Sequence, residues 1–106
     1  MECSKSDWML FQRLLPGWQE NYMERLSKEY ITLLSGEGQA SEKFWKLEER
    51  IKKDKKHPGV SLWLEKKNVI FDLVALVREE VIQFEDLAEF SEELQAEVKS
   101  RLEMKW

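Results

Sequence analysis

One cysteine, one histidine, two prolines and four glycines in 106 residues leave this chain short of the parts from which most small-protein chemistry is built. The lone thiol, Cys3, excludes an intramolecular disulfide and any cysteine-rich zinc site. It reads as a free thiol near a mobile terminus, in keeping with a reducing compartment. Long apolar runs are missing too. The most apolar segment, Val69 to Val77, contains Asp72 and falls far short of the ~20 residues a membrane helix needs. Acids at Glu2 and Asp7 precede a short apolar stretch that Gln12 and Arg13 interrupt, which is unlike a secretory signal. The expectation is a soluble cytoplasmic protein.

Scarcity also limits catalysis. His57 is the only histidine, and no glycine-framed serine stands ready to pair with it as a nucleophile. It reads as an exposed loop residue. Asp54 and His57 stand at helical metal-ligand spacing, but Lys52, Lys53, Lys55 and Lys56 surround them and oppose a cation. The adjacent pairs Glu48-Glu49, Glu79-Glu80 and Glu92-Glu93 point about 100° apart on a helix and do not converge. Asp72 comes closest to a carboxyl in an apolar setting, yet a helical wheel places it in a solvated strip with Glu65, Asn68 and Glu79. Gly36 and Gly38 lack the Lys-Ser or Lys-Thr of a phosphate loop. No enzyme, metal site or cofactor is expected.

Few helix breakers and many Glu and Lys residues favour helix. Ser4 caps a short helix to Leu15, with Asp7 at its N-terminal dipole, and Pro16-Gly17 breaks the chain. A second helix runs from Trp18 to Leu34 and stops at Ser35-Gly36-Glu37-Gly38. Ser41 caps a third, with Phe44, Trp45, Leu47 and Ile51 along it, which closes at His57-Pro58-Gly59. The fourth, from Ser61 to about Val81, is apolar over most of its circumference, as a central helix or half of an oligomer interface would be. A short helix from about Glu85, a kink at Ser91 acting as an N-cap, and a longer helix complete the chain. No strand-like alternation occurs. The predicted fold is all-α: one domain over residues 1–106, four main helices plus short N-terminal and connecting helices, in a compact bundle.

What the chain has in abundance is tryptophan and segregated charge. Trp8, Trp18, Trp45, Trp63 and Trp106 are core or interface material. Arg50, Lys52, Lys53, Lys55 and Lys56 form a basic patch broken only by Asp54. From Glu79 to Glu97 there is no base, and Glu85, Asp86, Glu89, Glu92 and Glu93 form an acidic face. That acidity disqualifies the helix-turn-helix cadence around Val81 to Leu94 as a DNA reader, since phosphates wall the groove it would enter. The function expected is non-enzymatic protein–protein interaction, including self-association, most simply as a homodimer. Trp45, Trp63, Phe71, Tyr22 and Met23 are the candidate partner-binding residues. The alternative is a nucleic-acid or nucleoprotein regulator using the basic cluster at residues 50–56, against which the net charge of −4 argues. The two charged faces are expected to pair, within the chain or between chains.

Overall fold

The computed structural model describes residues 2–104. Its elements are α1 (Lys5–Ser35), α2 (Ala40–Asp54), α3 (Val69–Arg78) and α4 (Glu92–Glu103), joined in part by 3₁₀ turns at Lys66–Asn68 and Phe84–Leu87. No strand occurs among the described residues, so the all-α bundle of four main helices and short connectors stands. Trp106 lies outside the described residues.

The expected break at Pro16-Gly17 does not occur: both residues lie inside α1. Pro16 has no N–H to donate to the carbonyl of Gln12, an omission that costs about 3 kcal/mol in a helix interior. Both residues sit on the exposed side, where water can satisfy that carbonyl. On the opposite side Phe11 and Leu15 are buried, with Trp8, Leu14, Trp18 and Tyr22 packed partly against the same core. One apolar stripe therefore crosses the proline, and its burial outweighs the local penalty. At 1.5 Å per residue α1 is about 46 Å long. It accounts for most of the 52 Å long dimension. The Cα radius of gyration, 16.6 Å, exceeds the roughly 13 Å of a compact chain this size. The compact part is the bundle of α3, α4 and the first half of α1, and the rest of α1 extends from it with α2.

The apolar segment after Pro58 differs from the expected long helix. Residues 61–65 form no regular secondary structure, and the α-helix begins only at Val69. Lys66-Lys67-Asn68 interrupts the apolar pattern and forms a 3₁₀ turn instead. Within α3, Val69, Ile70, Leu73, Val74 and Leu76 are buried. The central-helix alternative is thus the observed one: this helix is covered by its own chain. Its end is a C-cap in which Val81 N–H donates to Leu76 O at 2.9 Å and Glu80 N–H to Val77 O at 3.1 Å. Glu80 takes the left-handed conformation, φ 59°, that usually calls for glycine. The guanidinium of Arg25 donates to its carbonyl at 2.8 Å, tying this turn to α1.

Both predicted serine caps form. Ser4 Oγ accepts from Asp7 N–H at 3.1 Å, and Ser91 Oγ accepts from Leu94 N–H at 3.2 Å. The structure adds a link between them. The Asp7 carboxylate is buried and accepts from the Ser91 hydroxyl at 2.6 Å and the Ser91 N–H at 3.0 Å. One carboxylate thereby joins the first turns of α1 and α4. Cys3, expected in a mobile terminus, is buried instead, and its Sγ donates to the Lys66 carbonyl at 3.7 Å. Burial and the neighbouring Asp7 push its thiol pKa up, away from the reactive thiolate.

Asp72 corrects the helical-wheel reading. With the helix starting at Val69, the strip it was to share with Glu65 and Asn68 does not exist. Asp72 instead lies one turn from buried Val69 and Leu76, only 6% exposed, and its Oδ2 has no hydrogen-bond partner. Burial pushes its carboxyl up to about 6. The folded protein therefore holds a proton that the unfolded chain releases near pH 3.9. The contribution of Asp72 to stability is neutral below that value, turns unfavourable as the pH rises towards 6, and stays unfavourable above it. Asp72→Asn is expected to flatten this slope. It should raise stability at pH 7 by roughly 1–3 kcal/mol while changing little at pH 4, as read by urea titrations at the two pH values.

Candidate interaction surface

The second half of α1 and all of α2 form a helical hairpin that leans out from the core. Its tip is the turn at residues 36–38, where Gly38 adopts φ 127°. The first helical residue beyond it is Ala40, and the N-cap is Gln39, without a side-chain bond, instead of the expected Ser41. Besides the apolar crease of Met23, Leu26 and Ile51, polar contacts join the two helices. The Tyr30 hydroxyl donates to the Asp54 carboxylate. Arg50 donates to Glu29 at 2.9 Å, pairs with Asp54 at 3.5 Å and lies over the Tyr30 ring at 5.6 Å. Burial and the adjacent Asp54 push the Tyr30 hydroxyl up to about 12, so it stays a donor.

The base of the hairpin is closed by the His57-Pro58-Gly59 loop. His57 stacks on Tyr22 with ring centroids 4.5 Å apart and planes 5° from parallel. Gly59 N–H donates to His57 Nδ1 at 3.0 Å, so the ring proton of the neutral form sits on Nε2. Nε2 faces Glu79 Oε2 and the Tyr22 hydroxyl, both at 3.3 Å. Gln19 donates to the Pro58 carbonyl at 3.1 Å. His57 is therefore a packed, bonded residue and not an exposed one, and Asp54 serves Tyr30 and Arg50. Among the described residues no group of three or more His, Cys, Asp or Glu side chains could hold a metal ion, and no helix is long and apolar enough to cross a membrane.

What this architecture leaves open is α2, which buries none of its residues. Phe44 is 62% exposed and Trp45 60%, their rings in edge contact at 4.9 Å. Phe44, Leu47 and Ile51 form an apolar stripe along a shallow groove edged by Glu48, Lys52 and Lys55. Ile51 continues it into the crease against α1, where Met23, Leu26 and Tyr30 lie. A helix in a two-layer hairpin has only one covered side, so this stripe stays in water until something lies on it.

Of the sequence-predicted partner residues, Trp45, Trp63 and Phe71 are exposed, Trp63 by 80%. They occupy three different segments: Trp45 on α2, Trp63 before α3 with its indole N–H on Glu65, and Phe71 in the first turn of α3. Phe71 joins Val74, Ala75 and Met104 in a separate cleft near the end of α4. Tyr22 and Met23 are turned inward, Tyr22 under His57 and Met23 into the crease. The basic patch loses Arg50 to Glu29 and Asp54, whereas Lys52, Lys53, Lys55 and Lys56 remain exposed. Glu85, Asp86, Glu89, Glu92 and Glu93 are all exposed; Asp86 accepts from Gln83 N–H, and Glu89 meets Arg13 at 3.8 Å. Among the described residues no ion pair joins the acidic face to the lysines, so the two faces do not pair within the chain. Phe44, Leu47 and Ile51, legible as a stripe, carried no sequence signal that they would lack a covering layer.

The hairpin's attachment depends on Gly59. A Cβ there would lie 2.4 Å from Cδ2 of Tyr22, well inside van der Waals contact with a ring that His57 already holds. Gly59→Ala is expected to lift the loop from α1, at a cost of about 1–3 kcal/mol in urea denaturation. Amide exchange should quicken in α2 and in the 57–60 loop while α3 and α4 keep their protection.

No protein-family model matches this chain, and searches of curated proteins and of solved structures found nothing similar to it.

Proposed function

We propose that this chain is a non-enzymatic helical protein that acts by docking another protein on the uncovered hairpin of α1 and α2. The observation that carries this reading is a 15-residue helix with no buried residue, whose large apolar side chains, Phe44, Leu47 and Ile51, share one open groove. An apolar stripe edged by charge is the composition of an interface centre with its rim. Exposed Trp45 beside Phe44 adds the residue type that most often anchors such contacts. A second copy of the chain is among the partners such a face fits. Chemistry has less support. His57 is engaged by Tyr22 and Glu79, and the clefts beside Phe44, Phe71, Met23 and Met9 are lined by neither His57 nor Asp72.

A photoreactive residue in place of Phe44 is expected to give covalent protein adducts in cells, and the same residue in place of Gln12, on the exposed side of α1, far fewer. Only the uncoupled 12.8 kDa chain from position 44 would count against the hairpin as a docking face.

A second reading draws on the exposure of Lys52, Lys53, Lys55 and Lys56, none of which has a carboxylate partner among the described residues. Four such cations on one helix end could hold phosphates. Binding to mixed-sequence DNA or RNA at ~50 mM salt, where counterion release is strongest, should then fall steeply with added salt and with Lys52→Glu combined with Lys53→Glu. Fluorescence anisotropy that stays flat under those conditions ends this reading.

A further inference from the structure

We infer that the hairpin is a hinged arm, which swings on the core about Pro16-Gly17 and is latched shut on the turn at Glu79-Glu80. How the arm is held is independent of what docks on it.

The arm, residues 18–60, meets the core through two chain crossings, and neither is braced by a full set of helical bonds. The first is Pro16-Gly17, inside α1. Pro16 offers no N–H to the carbonyl of Gln12, so the ladder lacks a bond at this point. Gly17 has no side chain, and nothing lies within 4 Å of the place its Cβ would take. Both residues face water. Proline is the usual cause of a sharp bend in a helix, and an adjacent glycine lowers the resistance further. The second crossing is the segment 61–65, which has no regular secondary structure. Hinges are built from a few such residues that absorb a change in backbone angles.

The latch is a single turn of the core, gripped from two parts of the arm. Arg25, on α1, donates to the Glu80 carbonyl at 2.8 Å, and His57, on the loop at the arm's base, meets Glu79 Oε2 at 3.3 Å. Glu80 holds the left-handed conformation, φ 59°, which a residue with a side chain adopts at a cost. Bonds from Glu80 N–H to Val77 O and from Val81 N–H to Leu76 O fasten this turn to α3, so it stays with the core when the arm moves. The Arg25 bond is exposed and Glu79 is 57% exposed, and exposed contacts of this kind are weak. A swing of about 20°, the size of a proline kink, moves each residue in proportion to its distance from the pivot. Trp18, next to the pivot, stays beside Phe90, with 6.4 Å between ring centroids. Arg25 lies about 12 Å along the helix and travels about 4 Å, which parts the latch, while Ser35 travels about 9 Å. Tyr22 and His57 move together, because their stack lies within the arm.

Distances between paired spin labels, read by double electron–electron resonance, test the arm in a full chain whose buried thiol is removed by Cys3→Ser. Labels at Glu42→Cys with Lys99→Cys, and at Glu42→Cys with Glu85→Cys, view the arm from two points on the core. Labels at Glu24→Cys with Glu49→Cys lie within the arm. All five positions are exposed. The arm-to-core pairs are expected to show a main distance and a minor second one. Releasing the latch by Arg25→Ala with Glu79→Gln should raise the minor population roughly threefold or more, while the pair within the arm keeps one narrow distance. Adding Pro16→Ala with Gly17→Ala restores the helical bond and should remove the second population even with the latch released. One narrow arm-to-core distance in both the wild type and the latch variant overturns the hinged arm. Broadening of the pair within the arm in step with the others also overturns it, since the hairpin then comes apart instead of swinging. A second population that survives the stiffened helix overturns Pro16-Gly17 as the pivot.

Discussion

Burial of Phe11 and Leu15 in the common core carries α1 across Pro16 as a single helix, and the remaining architecture follows from that continuity. A helix ending at Leu15 would leave the second half free to fold back over α3 and α4 as a further layer. A continuous one cannot fold back. Its second half must leave the bundle in the direction set by its first, and α2 goes with it. The uncovered face of α2 is therefore a result of packing some four turns of helix away, near a proline that local propensity alone would treat as a stop.

The core and the hairpin are held by different forces. Around α3 the buried side chains are mostly apolar, and Asp72, buried among them, carries its cost as a raised pKa. Along α1 and α2 the contacts are a ring stack, a tyrosine–carboxylate bond and an arginine shared between Glu29 and Asp54. Exposed pairs of this kind contribute little each. The hairpin's own stability thus rests on the Tyr22–His57–Gly59 contact at its base, on buried Leu26 in the crease against Ile51, and on whatever covers its apolar stripe. That division makes the hairpin the more readily opened part of the molecule.

Local chemistry made much of this legible in the sequence. The caps at Ser4 and Ser91, the stop at Gly36 to Gly38 and the apolar character of the Val69–Val77 segment all depend on neighbours within a few residues. What was not legible depends on tertiary packing. Pro16 looks like a break because its penalty is local while its compensation, through Phe11 and Leu15, is not. Asp72 falls in a polar strip with Glu65 and Asn68 only if the helix starts at Ser61; once Lys66-Lys67-Asn68 delays the start, both drop out and leave Glu79 alone, two turns away at the helix end. The apolar residues of α2 have the periodicity of a core-facing helix, and periodicity reports which side is apolar, not whether anything covers it. Arg50 reads as one base among five, but its reach to Glu29, 21 positions earlier, needs the hairpin to exist first.

The carboxylate of Asp7 bonded to Ser91 closes a loop of 84 positions, and this separation orders events during synthesis. The Asp7 clamp and the floor beneath Phe11 require α4, which leaves the ribosome after the hairpin. The hairpin needs only residues up to about 60. A nascent chain can therefore pair Tyr30 with Asp54 and Tyr22 with His57 while Phe11, Leu15 and their neighbours still lack their cover. Closing a loop of that length adds an entropic cost that grows only as its logarithm, but that cost is met late and all at once. In the interval the first half of α1 presents its aromatic side to the cell, and this segment stays open to misassociation until α4 has emerged.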